Sequence, residues 1–424
     1  MRRTEPQQTV ELHIAALPFP TFQGTQAAIR SMLEARARAG YPVALFAYGA
    51  RGYDLDAPFV IHRAGAAPQL SLRSGPSLAK VRLDLAMAHG LPQLITRLRP
   101  RVIVAHHVEA MAIATVAAPD VPTVFFAHTD LAAELPTYAR LPGDASRCAQ
   151  VPLASRIATR GIAWAGAQVE RRLCRRATAV AAVSPLLRAR LSAAHGCSVQ
   201  YVPIPWVVPA PMTAQEQAVA RQKLRLHASE RVALYAGNLD AYQDPERILT
   251  SLQLLAAAGQ PITLLLATRS QPQAFLRRAA SLGVRFRSCE LGAEPVRREI
   301  HAAADFAIVP RAVAGGLPIK LLDALARGLP CAIMPPSAAG LDLDRCVVRA
   351  SAPTTEALAT AIATLARQPP LRHRLGHHAR AYVAQHHADP SFNQTLDLAI
   401  DATIAGHHAR PPKHAPQPAA PGHA

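Results

Sequence analysis

The chain has 424 residues, half of them hydrophobic, with 46 Lys and Arg against 28 Asp and Glu and a net charge of +18. That composition excludes a mostly disordered polymer and leaves room for two or three domains at roughly 150 residues each. No window holds ~18 uninterrupted apolar residues, and the six cysteines include no CxxC pair, so we expect a cytoplasmic chain with reduced thiols that does not span a membrane.

Short apolar runs alternate with longer helical patterns, the signature of βαβ units around parallel sheets. Residues 10–17 read as a first strand, with Glu11 and His13 interrupting the apolar run. A Pro/Gly loop over 18–24 leads to a helix over 25–39 that Gly40 ends, and 43–48 is the next strand. Strands over 102–105, 123–127 and 179–183 each end at a polar residue, His106, His128 and Ser184. Ligand-facing groups in open α/β sheets sit at these carboxyl ends. Adjacent His106 and His107 would point to opposite faces if the strand continued, bringing at most one to a ligand.

The stretch 201–211, YVPIPWVVPAP, has four prolines in eleven residues and reads as an extended linker. The βα rhythm then restarts. Strands are expected over 232–236, 262–267, 284–286, 306–309 and 331–334, with helices over 245–258, 273–281, 296–304 and 319–327. Helical patterns over 355–367, 370–386 and 391–405 follow, then a Pro/His-rich tail over 407–424 expected to be disordered. The fold class is therefore α/β, two Rossmann-like doubly wound domains facing across a cleft. The divisions are 1–205, an acceptor-side domain, and 206–386, a nucleotide-binding domain. Residues 387–406 form a helix returning to the first domain.

The most informative block runs Ala304-Asp305-Phe306 through Val309-Pro310-Arg311, then Gly315-Gly316-Leu317-Pro318-Ile319-Lys320 to Asp323. A strand, a Gly-Gly loop and a helix in succession make an anion-binding turn. The helix's first N–H groups are unpaired, and the glycines admit a phosphate to the backbone. Lys320 lies in the first helical turn, where a cation opposes the dipole and an anionic ligand would explain it. Lysine is scarce here: only Lys80, Lys223, Lys320 and Lys413 occur. Asp323, three residues on, shares its face and is placed to accept hydroxyls of a ribose or sugar.

This block resembles the donor-binding motif of GT-B glycosyltransferases of family 4 (glycosyl transferases group 1), and further stretches agree in order. They are Gly24-Thr25-Gln26 after the first strand, Val104 to Ala110 with His106, and Val124 to His128. Ala179 to Ser184 comes before the linker, and Leu234-Tyr235-Ala236-Gly237-Asn238 to Gln243 opens the second domain. The resemblance implies transfer of a sugar from a nucleotide diphosphate sugar, the donor substrate, with retention and with neither metal nor cofactor. It implies His128 and Lys320 as catalytic residues, His128 facing the transferred sugar. Gly24, Thr25, His106, Gly237, Asn238, Arg311, Gly315, Gly316 and Asp323 would bind substrate, Arg311 and Lys320 neutralising the diphosphate. The family's pair of glutamates would fall on Gly315 and Asp323, and its Arg and Lys near Asn238 and Asp244. These departures keep a second expectation open, a non-catalytic nucleotide-binding or scaffolding relative.

The expected acceptor is a glycan, a lipid-linked or a small molecule. The run 147–176 holds Arg147, Arg156, Arg160, Arg171, Arg172, Arg175 and Arg176 against Glu170 alone, with Trp164 and Ile157 among them. That pattern suits peripheral contact with an anionic membrane, or is a solvated face written in arginine. Nucleic acid is not expected as a partner: aromatic residues make up 5% of the chain and no recognition motif accompanies the charge. No GxGxxG follows the first strand, which argues against a nicotinamide oxidoreductase.

Overall fold

The computed structural model describes residues 10–21, 23–50, 56–67, 78–138, 153–311 and 313–408. Arg147 of the basic run and most of the expected tail, 409–424, lie outside the described residues.

The first lobe is a seven-stranded sheet in the order β3-β2-β1-β4-β5-β6-β7. Its strands are β1 Glu11–Phe19, β2 Val43–Ala50, β3 Val60–Ala67, β4 Val102–His106, β5 Thr123–Ala127, β6 Ala179–Ala182 and β7 Val199–Tyr201. Its helices are α1 Gly24–Arg38, α2 Leu78–Leu98, α3 His107–Ala117, α4 Leu131–Tyr138, α5 Leu153–Arg176 and α6 Pro185–His195. After α7 Ala214–Lys223, the second lobe has a six-stranded sheet ordered β10-β9-β8-β11-β12-β13. These strands are β8 Val232–Ala236, β9 Thr263–Thr268, β10 Phe286–Glu290, β11 Phe306–Val309, β12 Cys331–Ile333 and β13 Val347–Arg349. Helices α8 Pro245–Ala257, α9 Gln273–Ser281, α10 Glu294–Ala303, α11 Ile319–Ala326, α12 Thr355–Arg367 and α13 Pro369–His386 cover it, and α14 Asp389–His408 follows.

Every strand pairing is parallel. Helices cover both faces of such a sheet, which is why its central strands read as unbroken apolar runs. β4, β5, β9 and β11 are buried along their whole length. Strand order reverses between β1 and β4 and between β8 and β11, so the crevice expected at a switch point opens at the carboxyl ends of those strands in both lobes.

The helix expected over 391–405 is α14, and it packs back on the first lobe. Asp397 pairs with Arg36 at 2.8 Å and accepts from the Tyr41 hydroxyl at 2.7 Å, and the Gln200 amide donates to the Thr395 carbonyl. Arg36 is fully buried and also holds the buried Glu11 of β1, its Nε donating to Oε2 at 2.9 Å. The interruption that Glu11 makes in β1 is therefore a buried ion pair fastening α1 and α14 to the sheet. One strand differs in position: 284–286 was expected and β10 begins at Phe286. It is an edge strand whose residues are mostly exposed or half-exposed, so no apolar run marks it.

Candidate active site at the lobe interface

On the first lobe, four imidazoles converge. His13 Nδ1 lies 2.9 Å from His106 Nε2, and His106 Nδ1 lies 2.9 Å from His128 Nε2. His107 stacks on His128 at 4.8 Å between ring centroids, with Nε2 3.4 Å from Thr25 Oγ1. The strand does not continue through His107, as the opposite-faces reading of His106 and His107 assumed. β4 ends at His106, and His107 opens α3 at a left-handed φ of 71°, which turns both rings toward His128. Burial, which disfavours the imidazolium, holds His13 and His107 down at about 4 and His106 and His128 well below the usual histidine value. The cluster is neutral at pH 7. Among the described residues no group of three or more His, Cys, Asp or Glu is placed to hold a metal ion. His106 is fully buried with both ring nitrogens engaged, so it stands behind His128 instead of facing a ligand.

On the second lobe, β8 exits at Gly237, whose φ of 148° suits glycine. A side chain there would sit 2.9 Å from the Lys320 ammonium. Lys320 rises from the first turn of α11, donating to the Tyr235 hydroxyl at 3.0 Å and the Gln243 Oε1 at 2.9 Å. Both partners are neutral. Burial, and next the charge of Arg311, lower its pKa from 10.5 to about 7. Asn238 turns its amide to Asp240 and Tyr242, and Asp244 pairs with Arg247.

Two acidic or basic candidates are already engaged. Asp323 accepts from Trp206 Nε1 at 3.3 Å and Arg327 Nε at 3.1 Å, with His301 Nε2 at 3.7 Å. Its carboxylate braces α11 against the linker, which corrects the picture of a group standing free for ribose hydroxyls. Arg311 is buried too, and Glu134 of α4 neutralises it across the interface at 2.8 Å. Burial raises the Glu134 carboxyl, with Arg311 opposing that rise. Of the two cations expected to meet a diphosphate, Lys320 is thus the one without a carboxylate partner in its hydrogen bonds.

The lobes touch through the glycine loop. A Cβ on Gly316 would stand 1.6 Å from the His128 carbonyl oxygen, and one on Gly24 would stand 3.6 Å from Ile319 at the start of α11. Arg311 Nη1 donates to the Gly316 carbonyl at 3.0 Å, and Arg190 donates to Ala314 while pairing with Asp130. Gly24, Thr25, His128, Gly237, Arg311, Gly315, Gly316 and Lys320 therefore meet in one region. His13, His107, Glu134, Tyr235 and Gln243 join them without having been singled out as site residues. His13 had a signal, a polar residue inside an apolar strand. Glu134 had none, since one acid in a short helix reads as surface.

Away from this region, α5 carries the basic run. It exposes Ile157, Trp164 and Val169, while Glu170 is buried against His195 at 3.1 Å. Among the described residues no helix is long and apolar enough to cross a membrane.

The family model for Glycosyltransferase Family 4 matches residues 22–205, and that for Glycosyl transferases group 1 matches residues 216–382. No curated protein matches the chain in sequence. Sucrose-phosphate synthase from Thermosynechococcus elongatus superposes with a TM-score of 0.74 at 17% identity, over 94% of this chain and 100% of that one. Anabaena HepE in complex with UDP and glucose gives 0.67 at 14% identity, over 92% and 99%. WaaG, a glycosyltransferase involved in lipopolysaccharide biosynthesis, gives 0.64 at 16%, over 92% and 99%. Two family models in tandem, on two parallel sheets that face each other across one crevice, make this chain a member of the GT-B glycosyltransferases, family 4-like, of the glycosyl transferases group 1.

Proposed function

We propose that the protein is a retaining glycosyltransferase taking a sugar from a nucleotide diphosphate sugar to a hydroxyl of a glycan or lipid-linked acceptor, without a metal. The observation that carries this reading is Lys320, a half-buried ammonium at the N-terminus of α11 that, among the described residues, hydrogen-bonds to the neutral oxygens of Tyr235 and Gln243 and lies against Gly237. Such chemistry asks the protein to stabilise a departing diphosphate and to position an acceptor hydroxyl. Lys320 and the first-turn N–H groups of α11 supply fixed positive charge for the leaving group. Gly237 lets it approach the backbone, while Gly316 admits the His128 carbonyl of the facing lobe. His128, neutral and backed by His106, offers a hydrogen bond to the transferred sugar. A neighbour of the same fold was solved with UDP and glucose, which supports a sugar nucleotide as the ligand class.

The test is a panel of UDP-, ADP- and GDP-sugars scored for binding and for slow donor hydrolysis, with and without magnesium. Binding that Lys320→Ala abolishes supports the reading, and no binding by any donor defeats it. The placement of Asp244 and Asn238 beside the β8 exit, where the family pattern has basic residues, favours a second reading, a relative that binds nucleotide without turnover. Binding with no hydrolysis and no transfer would select it.

We further propose that α5 rests on an anionic membrane from the cytoplasmic side. Exposed Trp164 and Ile157 share the helix with exposed Arg160, Arg172, Arg175 and Arg176, a pairing of apolar and cationic groups suited to headgroups. Flotation with phosphatidylglycerol vesicles, lost on Trp164→Ala with Arg172→Glu, tests it.

A further inference from the structure

The Arg311–Glu134 pair spans the two lobes, with side-chain exposures of only 5% and 11%. Fastening the lobes explains such a pair poorly, because removing two charges from water costs about as much as their attraction returns, and apolar contacts hold surfaces together without that cost. The guanidinium is also incompletely used. Nη1 is on the Gly316 carbonyl and Nη2 on Glu134 Oε1, while the buried Nε has no partner among the described residues. An unfilled donor beside a carboxylate suits a group that accepts from one and donates to the other. A hydroxyl does both through a single oxygen.

Gly315 adds an independent observation. A Cβ there would stand 2.8 Å from Arg311 Nη2 and 3.5 Å from Glu134 Oε1. Any side chain at 315 would enter the pair, and an acidic one would bring its carboxylate to the region Glu134 now occupies. The position without a side chain on the second lobe is filled by an acid from the first.

Resting on the sugar-nucleotide reading above, we propose that Arg311 and Glu134 together read a hydroxyl of the transferred sugar. Glu134 is lent across the cleft, and Gly315 is the vacancy that admits it. Lys320 then answers the phosphates and the Arg311–Glu134 pair answers the sugar. Because α4 carries Glu134, sugar recognition is complete only when the lobes are closed, and an open enzyme holds the nucleotide without inspecting its sugar.

The experiment measures Kd for matched probes, UDP with UDP-glucose, ADP with ADP-glucose and GDP with GDP-mannose, on the full chain. For the matched pair that wild type binds, Glu134→Ala lowers the affinity for the sugar nucleotide relative to its diphosphate by about 10- to 100-fold, the worth of a hydrogen bond to a charged group. Affinity for the diphosphate alone stays within about threefold, which also shows that the variant folds. Glu134→Gln, isosteric and uncharged, loses an intermediate amount. Glu134→Ala combined with Gly315→Glu regains most of the preference, whereas Gly315→Glu alone, with two carboxylates on one guanidinium, does not improve on wild type. An unchanged ratio in Glu134→Ala, or an equal loss for both probes, overturns the proposal and leaves the pair a fastening between lobes. Wild type binding neither probe of any pair overturns the sugar-nucleotide reading itself, and this proposal with it.

Discussion

Replacing Lys320 with methionine should stabilise the free protein while weakening it as a nucleotide binder. Lowering the ammonium's pKa from 10.5 to about 7 corresponds to about 5 kcal/mol at 1.36 kcal/mol per pH unit, of which about 4 applies at pH 7. The sign follows from proton counting. Below pH 7 the penalty of burying the charge is complete, and it fades as pH rises toward 10.5, where the unfolded chain also loses the proton. Methionine removes that penalty and fills a similar volume. It leaves Gln243 Oε1 without its donor, at a cost of about 1–2 kcal/mol. The net gain of about 2–3 kcal/mol should raise the ligand-free melting temperature by several degrees near pH 7. A diphosphate reverses the logic by returning the ammonium to its charged form. UDP, or whichever diphosphate binds, should take up about half a proton at pH 7, and its affinity should fall up to about tenfold per pH unit above that. Calorimetry in two buffers of different ionisation enthalpy measures the proton, and scanning fluorimetry measures the stability. If Lys320→Met melts lower than wild type, or if the pH slope of binding survives in it, Lys320 is not an uncompensated cation awaiting an anion.

Gly316→Ala should obstruct closure. The new Cβ stands 1.6 Å from the His128 carbonyl and 3.0 Å is the shortest tolerable approach, so the lobes must part locally by about 1.4 Å. Turnover should drop at least about tenfold while diphosphate binding to the second lobe changes little, with small-angle scattering reporting a more open particle. The histidine cluster predicts acid lability. His13 and His107 hold pKa values of about 4 against 6.5 unfolded, so stability is intact above about pH 6.5 and is lost as pH falls toward 4. The melting temperature at pH 5 should lie about 10 °C below that at pH 7.5, and His13→Leu should flatten the dependence; an equally steep curve in that variant would exclude His13. Arg101 also pairs with Glu11, so Arg36→Met should cost about 3–5 kcal/mol by leaving the buried carboxylate to that half-exposed partner. It should also accelerate amide exchange along α14, while Glu11→Leu with Arg36→Met recovers most of the loss.

The architecture was readable because parallel strands buried on both faces leave unbroken apolar runs, as at Phe306–Val309, whose bounds match the expectation. Helices α2 to α7 and strands β3, β7 and β13 escaped it. In α5 and α7, for example, exposed and polar residues recur on most faces and blur the apolar stripe. Candidate residues could be singled out where the strand, glycine loop and helix order restricts what can follow, as for Lys320 and Gly316, and where a polar residue ends an apolar strand, as for His128. Glu134 and Arg311 illustrate the limit. Their partnership joins residues 177 positions apart, and no local pattern encodes a contact made by two lobes meeting. Asp323 shows a related limit, because helical spacing gave its face while the neighbours Trp206 and Arg327 decided its use.

The chain passes between lobes twice, along 202–213 and again where α13 gives way to α14, and these crossings are bonded to each other. The Trp206 N–H donates to the His387 carbonyl at 2.8 Å, and His387 Nδ1 donates to the Ile204 carbonyl at 2.7 Å. Tied side by side, the two crossings form one junction, and any rotation of one lobe against the other would turn about it. The Gly316–His128 contact is made elsewhere between the lobes, so such a rotation would open it while the junction stayed tied.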